Sequence, residues 1–260
     1  MEAGTRELAD LLQNALQWAR EAGAVTLRHF GTALDSETKG DGTPVTVADR
    51  AAETLLRERI GAEYPHHGIL GEEFGETNPG ASVRWIVDPI DGTRSFVRGV
   101  PIYGVLIGID VEGVPMVGVA HFPALRETVG AALGHGCDWN GRPARVSRIR
   151  NLPDAAALTT DPAELLKSPV APGWEELVEG CSLARTWGDC YGHVLVATGR
   201  AEIMIDPVLS PWDAAPFVPI LEEAGGRFTD LAGNARLDGG SGISTNGLLH
   251  DRVLALLQAR

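Results

Sequence analysis

Trp85-Ile86-Val87-Asp88-Pro89-Ile90-Asp91-Gly92-Thr93 is an apolar run that leads straight into two aspartates. Its first three residues predict a buried strand that ends in the following stretch, Asp88 to Thr93. The carboxylates of Asp88 and Asp91 are unfavourable at such a strand end unless a cation neutralises them. Gly92 and Thr93 suit a turn and the start of a helix, where backbone N–H groups bind phosphate. This stretch therefore predicts a cation site beside a phosphate site.

Composition and charge narrow the class of protein. A chain of 260 residues with 44% hydrophobic and 22% charged residues is typical of a globular enzyme, either one large domain or two closely packed lobes. Its formal net charge of −13 disfavours binding to nucleic acid or to an anionic membrane. Three cysteines without CxxC spacing indicate neither disulfides nor zinc. Because the N-terminal residues lack the apolar core of a signal peptide and no apolar run could span a bilayer, we expect a cytoplasmic protein.

Hydrophobic periodicity predicts a mixture of helices and strands along the chain. Helical spacing of apolar residues predicts helices over 6–30, 48–64, 188–199, 211–224 and 248–258. Alternation predicts antiparallel strands from 103 to 146 and single strands over 68–71, 201–206 and 243–244. We therefore expect a layered α+β or α/β enzyme with an N-terminal lobe, 1–150, and a C-terminal lobe, 151–260.

Five acidic residues lie at the predicted element boundaries: Asp49, Glu72, Asp88, Asp91 and Asp213. Oxygen ligands of this kind suit a hard divalent cation such as Mg²⁺, and the absence of a histidine or cysteine cluster argues against zinc. Taken singly, Asp49 and Asp213 are equally typical of the negative charges at helix N-termini, and Glu72 of a solvated turn. The pair formed by Asp88 and Asp91 at the strand end is harder to explain without a bound cation.

Three motifs together resemble the signature set of the inositol monophosphatase family, and their order and wide spacing match it as well. They are Gly71-Glu72-Glu73, the run from Trp85 to Thr93, and Trp212-Asp213 followed by Glu222-Glu223-Ala224-Gly225-Gly226. The resemblance covers the whole chain. It implies an αβαβα sandwich like that of fructose-bisphosphatases, with two or three Mg²⁺ ions and a homodimeric assembly.

The resemblance also implies roles for individual residues. Glu72 would bind a first Mg²⁺, Asp88 would bridge two ions, and the Ile90 carbonyl would complete the first site. Asp91 and Asp213 would hold the second ion.

Other roles concern the phosphate and the attacking water. Asp49 would lie near a third ion, and Gly92 and Thr93 would present N–H groups to the phosphate. Thr93 and Glu72 would orient or deprotonate the water that attacks phosphorus. Lys39 is either an electrostatic contributor to the site or a solvated surface lysine. Inhibition by lithium is a further implication of the resemblance.

Two segments are similar to the histidinol-phosphatase branch of this family: Arg185-Thr186-Trp187-Gly188-Asp189-Cys190-Tyr191-Gly192 and the run from Thr93 to Pro101. Tyr103 departs from that pattern, which has tryptophan there. Histidinol phosphate carries an ammonium group and an imidazole. Asp189 and Asp206 are therefore candidates to pair with a cationic substrate, and Arg185 is a third candidate contact. Asp189 is alternatively a helix cap or a partner of Arg185.

The sequence thus predicts an enzyme that hydrolyses a small phosphate ester. We expect a Mg²⁺-dependent phosphatase that converts L-histidinol phosphate to L-histidinol in histidine biosynthesis by means of an activated water molecule. An inositol-1-monophosphatase of broader specificity is the alternative. A non-catalytic metal-binding or regulatory relative is the alternative from another class of protein.

Overall fold

The structure is a computed structural model that describes residues 2–32, 37–38 and 44–258. Lys39 lies outside the described residues, so its role stays a prediction. Among the helices in the described ranges, none combines the length and the apolar character that crossing a membrane requires.

Two long helices form the first layer. They are α1 (Glu2–Leu27) and α2 (Val47–Glu63), and a two-stranded pair, β1 (Glu37–Thr38) with β2 (Pro44–Val45), precedes α2. The two helices pack on each other and on the large sheet behind them. Leu11 and Trp18 of α1 and Leu56 of α2 bury the apolar stripes that the sequence predicts, so amphipathic periodicity fixes this layer.

A large twisted sheet forms the second layer. Its strands are β3 (Gly68–Gly71), β4 (Gly75–Thr77), β5 (Val83–Asp91), β6 (Gly104–Val111), β7 (Val114–Phe122), β8 (Glu127–Ala132), β9 (Gly136–Trp139) and β10 (Arg142–Pro143). Their order is β10-β9-β8-β7-β6-β5-β3-β4, and the β3–β5 pair is parallel while the others are antiparallel. Along β6, Val105 and Ile107 face the first helix layer and Leu106 faces the opposite side, which confirms the predicted alternation.

Helices between the two sheets form the third layer. They are α6 (Asp189–Ala197), α7 (Pro211–Ala214) and α8 (Phe217–Ala224). The longer of them, α6 and α8, carry the middle core, and α8 contacts strands of both sheets. Val194, Phe217 and Leu221 pack there against Leu106 and Phe122 of the large sheet. The short helix α3 (Thr93–Val97) instead packs its Phe96 against Ala48 of α2 and Tyr103.

A smaller sheet and an outer group of helices complete the structure. The strands are β11 (Ala156–Leu158), β12 (Leu183–Arg185), β13 (Ile203–Asp206), β14 (Arg227–Thr229) and β15 (Gly242–Thr245), in the order β12-β11-β13-β15-β14. A 3₁₀ turn (Leu152–Asp154), α4 (Pro162–Lys167), α5 (Ala171–Gly180) and α9 (His250–Gln258) flank this sheet. Trp174 of α5 and Val253 of α9 pack on Ile203 and Ile243.

The layers therefore alternate as helices, sheet, helices, sheet, helices, which confirms the expected αβαβα sandwich. The described strands of the large sheet all precede residue 150, and those of the smaller sheet all follow it. This distribution supports the two-lobe division at 150/151, which we retain as a proposal.

Strand β5 ends at Asp91, inside the stretch where the sequence predicts its end, after a register irregularity in which Pro89 interrupts the ladder and pairing resumes at Asp91 with Gly104. Two other local predictions are wrong. The helix expected over 211–224 is two helices, since Pro216 has no N–H for the helical hydrogen-bond pattern. The last strand before the second half ends at Pro143 rather than near Val146.

Candidate active site

The irregularity in β5 shapes the strand end into a loop of polar groups. The N–H of Ile90 donates to Asp88 Oδ1 at 2.9 Å, and the hydroxyl of Thr93 donates to the carbonyl of Ile90 at 3.0 Å. Gly92 turns the chain with φ +79° and starts α3. The side chains of Asp88 and Asp91 are thereby held side by side at the C-terminal end of β5, where the sequence predicts two metal ligands.

Asp49 and Asp213 each occupy the third position of a helix and bond back to the residue that caps it. Asp49 Oδ2 accepts from the N–H and the hydroxyl of Thr46, at 2.8 and 2.6 Å. Asp213 Oδ2 accepts from the N–H of Ser210 at 2.8 Å. One oxygen of each residue, Oδ2, therefore serves the start of a helix, as the alternative interpretation holds. The second oxygen, Oδ1, takes no part in these capping contacts.

The predicted acidic ligands converge on one cavity of about 290 Å³. Asp88, Asp91 and Asp213 each offer an oxygen within 4.8 Å of the others. Glu72 and Ile90 line the same cavity, together with Gly92 and Thr93. Residues separated by more than a hundred positions in the sequence therefore meet at one place, and their individual roles remain predictions.

Crowding of negative charge is the main electrostatic property of this cavity. Burial raises the pKa of Asp88 well above its usual value, and the carboxylates of Glu72, Asp91 and Asp213 raise it further. Burial, followed by the charge of Asp213, likewise raises the pKa of Asp91. Burial raises the pKa of Asp213 to about 7. A cation among these carboxylates would remove the cost of keeping them ionised together.

The donor set fits a hard divalent cation. The donors that converge are carboxylate oxygens with a backbone carbonyl nearby, and among the described residues no cysteine or histidine lines this cavity. Asp49 Oδ1 is buried and has no hydrogen-bond partner in the described part of the chain. Burial raises the pKa of Asp49, and the nearby Glu72 carboxylate adds to the effect against the hydrogen bonds from Thr46. An unsatisfied buried carboxylate oxygen near Glu72 is what a cation or its hydration water would satisfy.

Glu53 fixes the loop that carries Glu72. It lies one turn after Asp49 on α2, and its carboxylate is fully buried. Glu53 Oε2 accepts from the N–H of Glu73 at 2.7 Å, and Oε1 accepts from the N–H of Phe74 at 3.2 Å. The backbone of Gly71 lies so close that a Cβ there would be 2.0 Å from Glu53 Oε1. The sequence analysis did not identify Glu53, although a glutamate inside the apolar face of α2 is the signal that marks it.

Asp189 packs directly against Gly92 and Ser95 at the turn into α3. Its backbone has φ +50°, which is unusual for a non-glycine residue, and its N–H donates to Thr160 Oγ1 at 2.7 Å. Asp189 Oδ2 accepts from the hydroxyl of Ser95 at 3.2 Å and lies 3.0 Å from where a Cβ on Gly92 would be. Burial raises the pKa of Asp189 to about 6, and the charge of Asp206 contributes to the rise.

A second cavity of about 280 Å³ adjoins the first and shares Asp91, Asp189 and Asp213 with it. We call this second cavity the recess. Asp161 and Asp206 line its other side, and Arg94 lies at the boundary of both cavities. The recess therefore combines several carboxylates with one arginine.

Two of the three predicted substrate contacts, Asp189 and Asp206, lie in the recess, and the third does not. Arg185 is exposed on the edge strand β12, lines neither cavity, and donates to the carbonyl of Ala184. The structure does not pair Arg185 with Asp189. His193, which the sequence analysis did not single out, lines the recess beside Asp206.

Comparison with known proteins agrees with this geometry. The sequence profile described as the inositol monophosphatase family matches residues 7–260. A histidinol-phosphatase of Chlorobaculum parvum is 46% identical over 95% of this chain and 96% of its own length. A histidinol-phosphatase of Mycobacterium tuberculosis is 43% identical over 96% of this chain and 98% of its own. The crystal structure of the extragenic suppressor protein SuhB from Bartonella henselae superposes with a TM-score of 0.89 at 28% identity, over 96% of this chain and 98% of that one.

The fold, the carboxylate cavity and these similarities establish that the chain belongs to the inositol monophosphatase family. Within that family the chain is a phosphatase, an enzyme that hydrolyses phosphoric monoesters. The resemblance on which the sequence analysis relied is thereby confirmed.

Proposed function

We propose that this phosphatase is Mg²⁺-dependent and hydrolyses L-histidinol phosphate to L-histidinol and phosphate, a step of histidine biosynthesis. The observation that carries the proposal is the acidic recess next to the carboxylate cavity. A leaving group with an ammonium and an imidazole suits such a recess, because buried carboxylates are stabilised by a cationic partner. The names of the two relatives at 46% and 43% identity support the same substrate.

The first cavity would hold the reacting phosphate. Glu72, Asp88, Asp91, Asp213 and the Ile90 carbonyl are the residues that would hold Mg²⁺, with Asp49 nearby. When bound, the ions would offset the negative charge of the phosphoryl group and make a water molecule more acidic.

The chain itself supplies orientation and proton acceptance. The backbone N–H groups of Gly92 and Thr93, at the turn into α3, would donate to phosphate oxygens. Because the Thr93 hydroxyl already donates to the Ile90 carbonyl, its oxygen is free to accept a hydrogen bond from the attacking water. The Glu72 carboxylate would take the proton of that water.

The recess would hold the leaving group. Asp206, at the end of β13, and Asp189, at the start of α6, would pair with the ammonium group of the substrate. A polyol such as inositol offers no cation to these carboxylates. The recess therefore favours the histidinol ester over the inositol ester.

A paired assay on the purified enzyme tests this proposal. We expect kcat/KM for L-histidinol phosphate to exceed that for inositol 1-phosphate by at least about 10-fold, which is a difference of about 1.4 kcal/mol in transition-state binding. Asp189→Asn should reduce the histidinol ester rate selectively. A higher kcat/KM on inositol 1-phosphate would instead support the alternative, a broad inositol monophosphatase.

A second assay separates an enzyme from a regulatory relative. Phosphate release should require added Mg²⁺ and disappear in Asp91→Asn. Activity that is absent from the wild-type protein with any ester would favour the non-catalytic alternative. We also propose that the protein is a homodimer and is inhibited by lithium, which light scattering after size exclusion and a lithium titration of the assay would test.

A further inference from the structure

We infer that His193 is a positioning residue that holds the Asp206 carboxylate towards the recess and so sets the preference for a cationic ester. This inference rests on the proposed function. His193 lies on α6 with 1% of its surface exposed, and both ring nitrogens have partners. Nε2 is 3.3 Å from Asp206 Oδ2, and Nδ1 is 2.7 Å from Ser244 Oγ.

The two partners assign the tautomer of the ring. An ionised carboxylate only accepts hydrogen bonds, so Nε2 carries the proton and donates to Asp206. Nδ1 then accepts from the hydroxyl of Ser244 on β15. The ring is also stacked on Phe217, with centroids 4.8 Å apart and planes at 27°. Two hydrogen bonds and an aromatic neighbour therefore leave the imidazole a single orientation.

Asp206 is held from its other side by the backbone. Its Oδ1 accepts from the N–H of Thr160 at 3.1 Å, and the residue is 3% exposed. In the described ranges no lysine or arginine pairs with this carboxylate, and the side chain that donates to it is the neutral imidazole of His193. The negative charge of Asp206 is thus oriented by two N–H donors and remains uncompensated by a cationic side chain. A cationic group of the substrate would supply that compensation.

The alternative interpretation as a hydrolytic Ser-His-Asp triad does not fit the geometry. Ser244 is fully buried on β15 and does not line the recess, so an ester cannot reach its hydroxyl. The contacts run from Ser244 through His193 to Asp206, which lines the recess. They orient the Asp206 carboxylate, so His193 acts on the substrate through Asp206.

Two substitutions of His193 separate its hydrogen bonds from its packing. His193→Phe keeps an aromatic ring next to Phe217 but removes both hydrogen bonds. His193→Gln keeps an N–H donor that can reach Asp206. Each variant is assayed with L-histidinol phosphate and with glycerol 2-phosphate, whose leaving group is uncharged.

We expect His193→Phe to lower kcat/KM for L-histidinol phosphate by about 10-fold or more, mainly through a higher KM, since a hydrogen bond to a charged group is lost. The same variant should change kcat/KM for glycerol 2-phosphate by less than about threefold, because that ester has no cation for Asp206 to bind. His193→Gln should recover most of the loss. Ser244→Ala, which removes the partner of Nδ1, should act in the same direction by about threefold.

His250 provides a matched control. It is fully buried between the hydroxyls of Thr229 and Thr245, at 3.1 and 3.0 Å, and lines neither cavity. His250→Phe removes two comparable hydrogen bonds and should leave the ratio of the two kcat/KM values unchanged.

The outcomes distinguish this inference from the proposed function. A wild-type enzyme with no preference for L-histidinol phosphate would overturn the proposed function and this inference with it. A wild-type preference that survives in His193→Phe, or equal losses on both esters, would overturn the inference alone. If His193→Phe fails to fold, Ser244→Ala provides the comparison of esters, and an unchanged ratio of the two kcat/KM values in that variant would overturn the inference.

Discussion

The buried carboxylate of Glu53 accepts a hydrogen bond from the backbone N–H of Glu73, at 2.7 Å, and so anchors the residue next to Glu72. Glu53→Gln replaces one acceptor oxygen by a donor that faces the N–H groups of Glu73 and Phe74. We expect Mg²⁺ affinity, measured by titration calorimetry, to fall about 10- to 100-fold, as is typical when a partner behind a metal ligand is removed.

Glu202→Gln is the control for this prediction. Glu202 is 4% exposed and accepts from the N–H of Ala156 at 2.7 Å, away from both cavities. The Glu202→Gln variant should be less stable than wild type but should bind Mg²⁺ with the same affinity. Equal Mg²⁺ affinities in wild type and Glu53→Gln would mean that the Glu72 loop holds its shape without this anchor.

Mg²⁺ is expected to stabilise the folded protein. The predicted ligand residues come together only when the chain is folded, so a cation that binds them would shift the unfolding equilibrium. At a Mg²⁺ concentration 100-fold above Kd, the gain should be about 2.7 kcal/mol, which differential scanning calorimetry detects as a higher Tm. The absence of any Tm shift over a wide range of Mg²⁺ would contradict the predicted site.

Asp213→Asn should change stability and activity in opposite directions. The substitution removes one negative charge from the crowded cavity while an amide oxygen can still accept from the N–H of Ser210. In EDTA we therefore expect the variant to unfold at a higher urea concentration than wild type, by about 1 kcal/mol. Phosphate release should fall by at least about 100-fold, and the Mg²⁺-induced Tm shift should shrink. A variant less stable than wild type in EDTA would show that the capping contact outweighs charge repulsion.

Gly92→Ala tests the turn between Asp91 and α3. The residue has φ +79°, and a Cβ would lie 3.0 Å from Asp189 Oδ2. We expect a loss of about 1–2 kcal/mol in the free energy of unfolding from backbone strain, together with a large loss of activity as Asp189 is displaced. Gly141→Ala is the matched control, because Gly141 has φ +80° with nothing within 4 Å. It should lose similar stability and keep full activity.

His250 should make stability depend on pH. Burial lowers its pKa from 6.5 to about 4, so between these values the unfolded chain binds more protons than the folded one. Its contribution is complete above pH 6.5 and declines as pH falls towards 4, by up to about 1.4 kcal/mol per pH unit. As pH falls, the carboxylates of the cavity change the free energy of unfolding in the opposite direction to His250. The contribution of His250 is therefore isolated by comparing wild type with His250→Gln, both in EDTA. The variant should lose less stability than wild type between pH 7 and 5; parallel curves would contradict the prediction.

The layered fold was predictable where the periodicity is long. The stripe on α1 buries one face of that helix, and the alternation along β6 and β7 places successive residues on opposite sides of the large sheet, both of which are buried. The strands β11, β12 and β14 were not predicted, and each is three residues long, which is too short for a period to be visible. Their position depends on neighbouring strands that are distant in the sequence.

The candidate site was predictable from motifs but not from local pattern alone. Asp88 and Asp91 are recognisable in the sequence because they form a pair of acids directly after an apolar run. Glu53 and His193 are single polar residues inside helical stripes. Glu53 has a local partner in Arg57, but the N–H of Glu73 that it anchors lies 20 positions away, and Asp206 lies 13 positions from His193. Only the tertiary structure reveals that Glu53 supports a loop and His193 a carboxylate.

Asp49 and Asp213 each have two roles, at a helix start and beside other acids, and this limits how the sequence of the enzyme can vary. Each carboxylate starts a helix with one oxygen and also lies near other acids, Asp49 near Glu72 and Asp213 near Asp88 and Asp91. Lengthening either side chain by one methylene would shift a helix start as well as a ligand atom. Variation among descendants should therefore accumulate in the walls of the recess, while these two aspartates are inherited together with the helices that they begin.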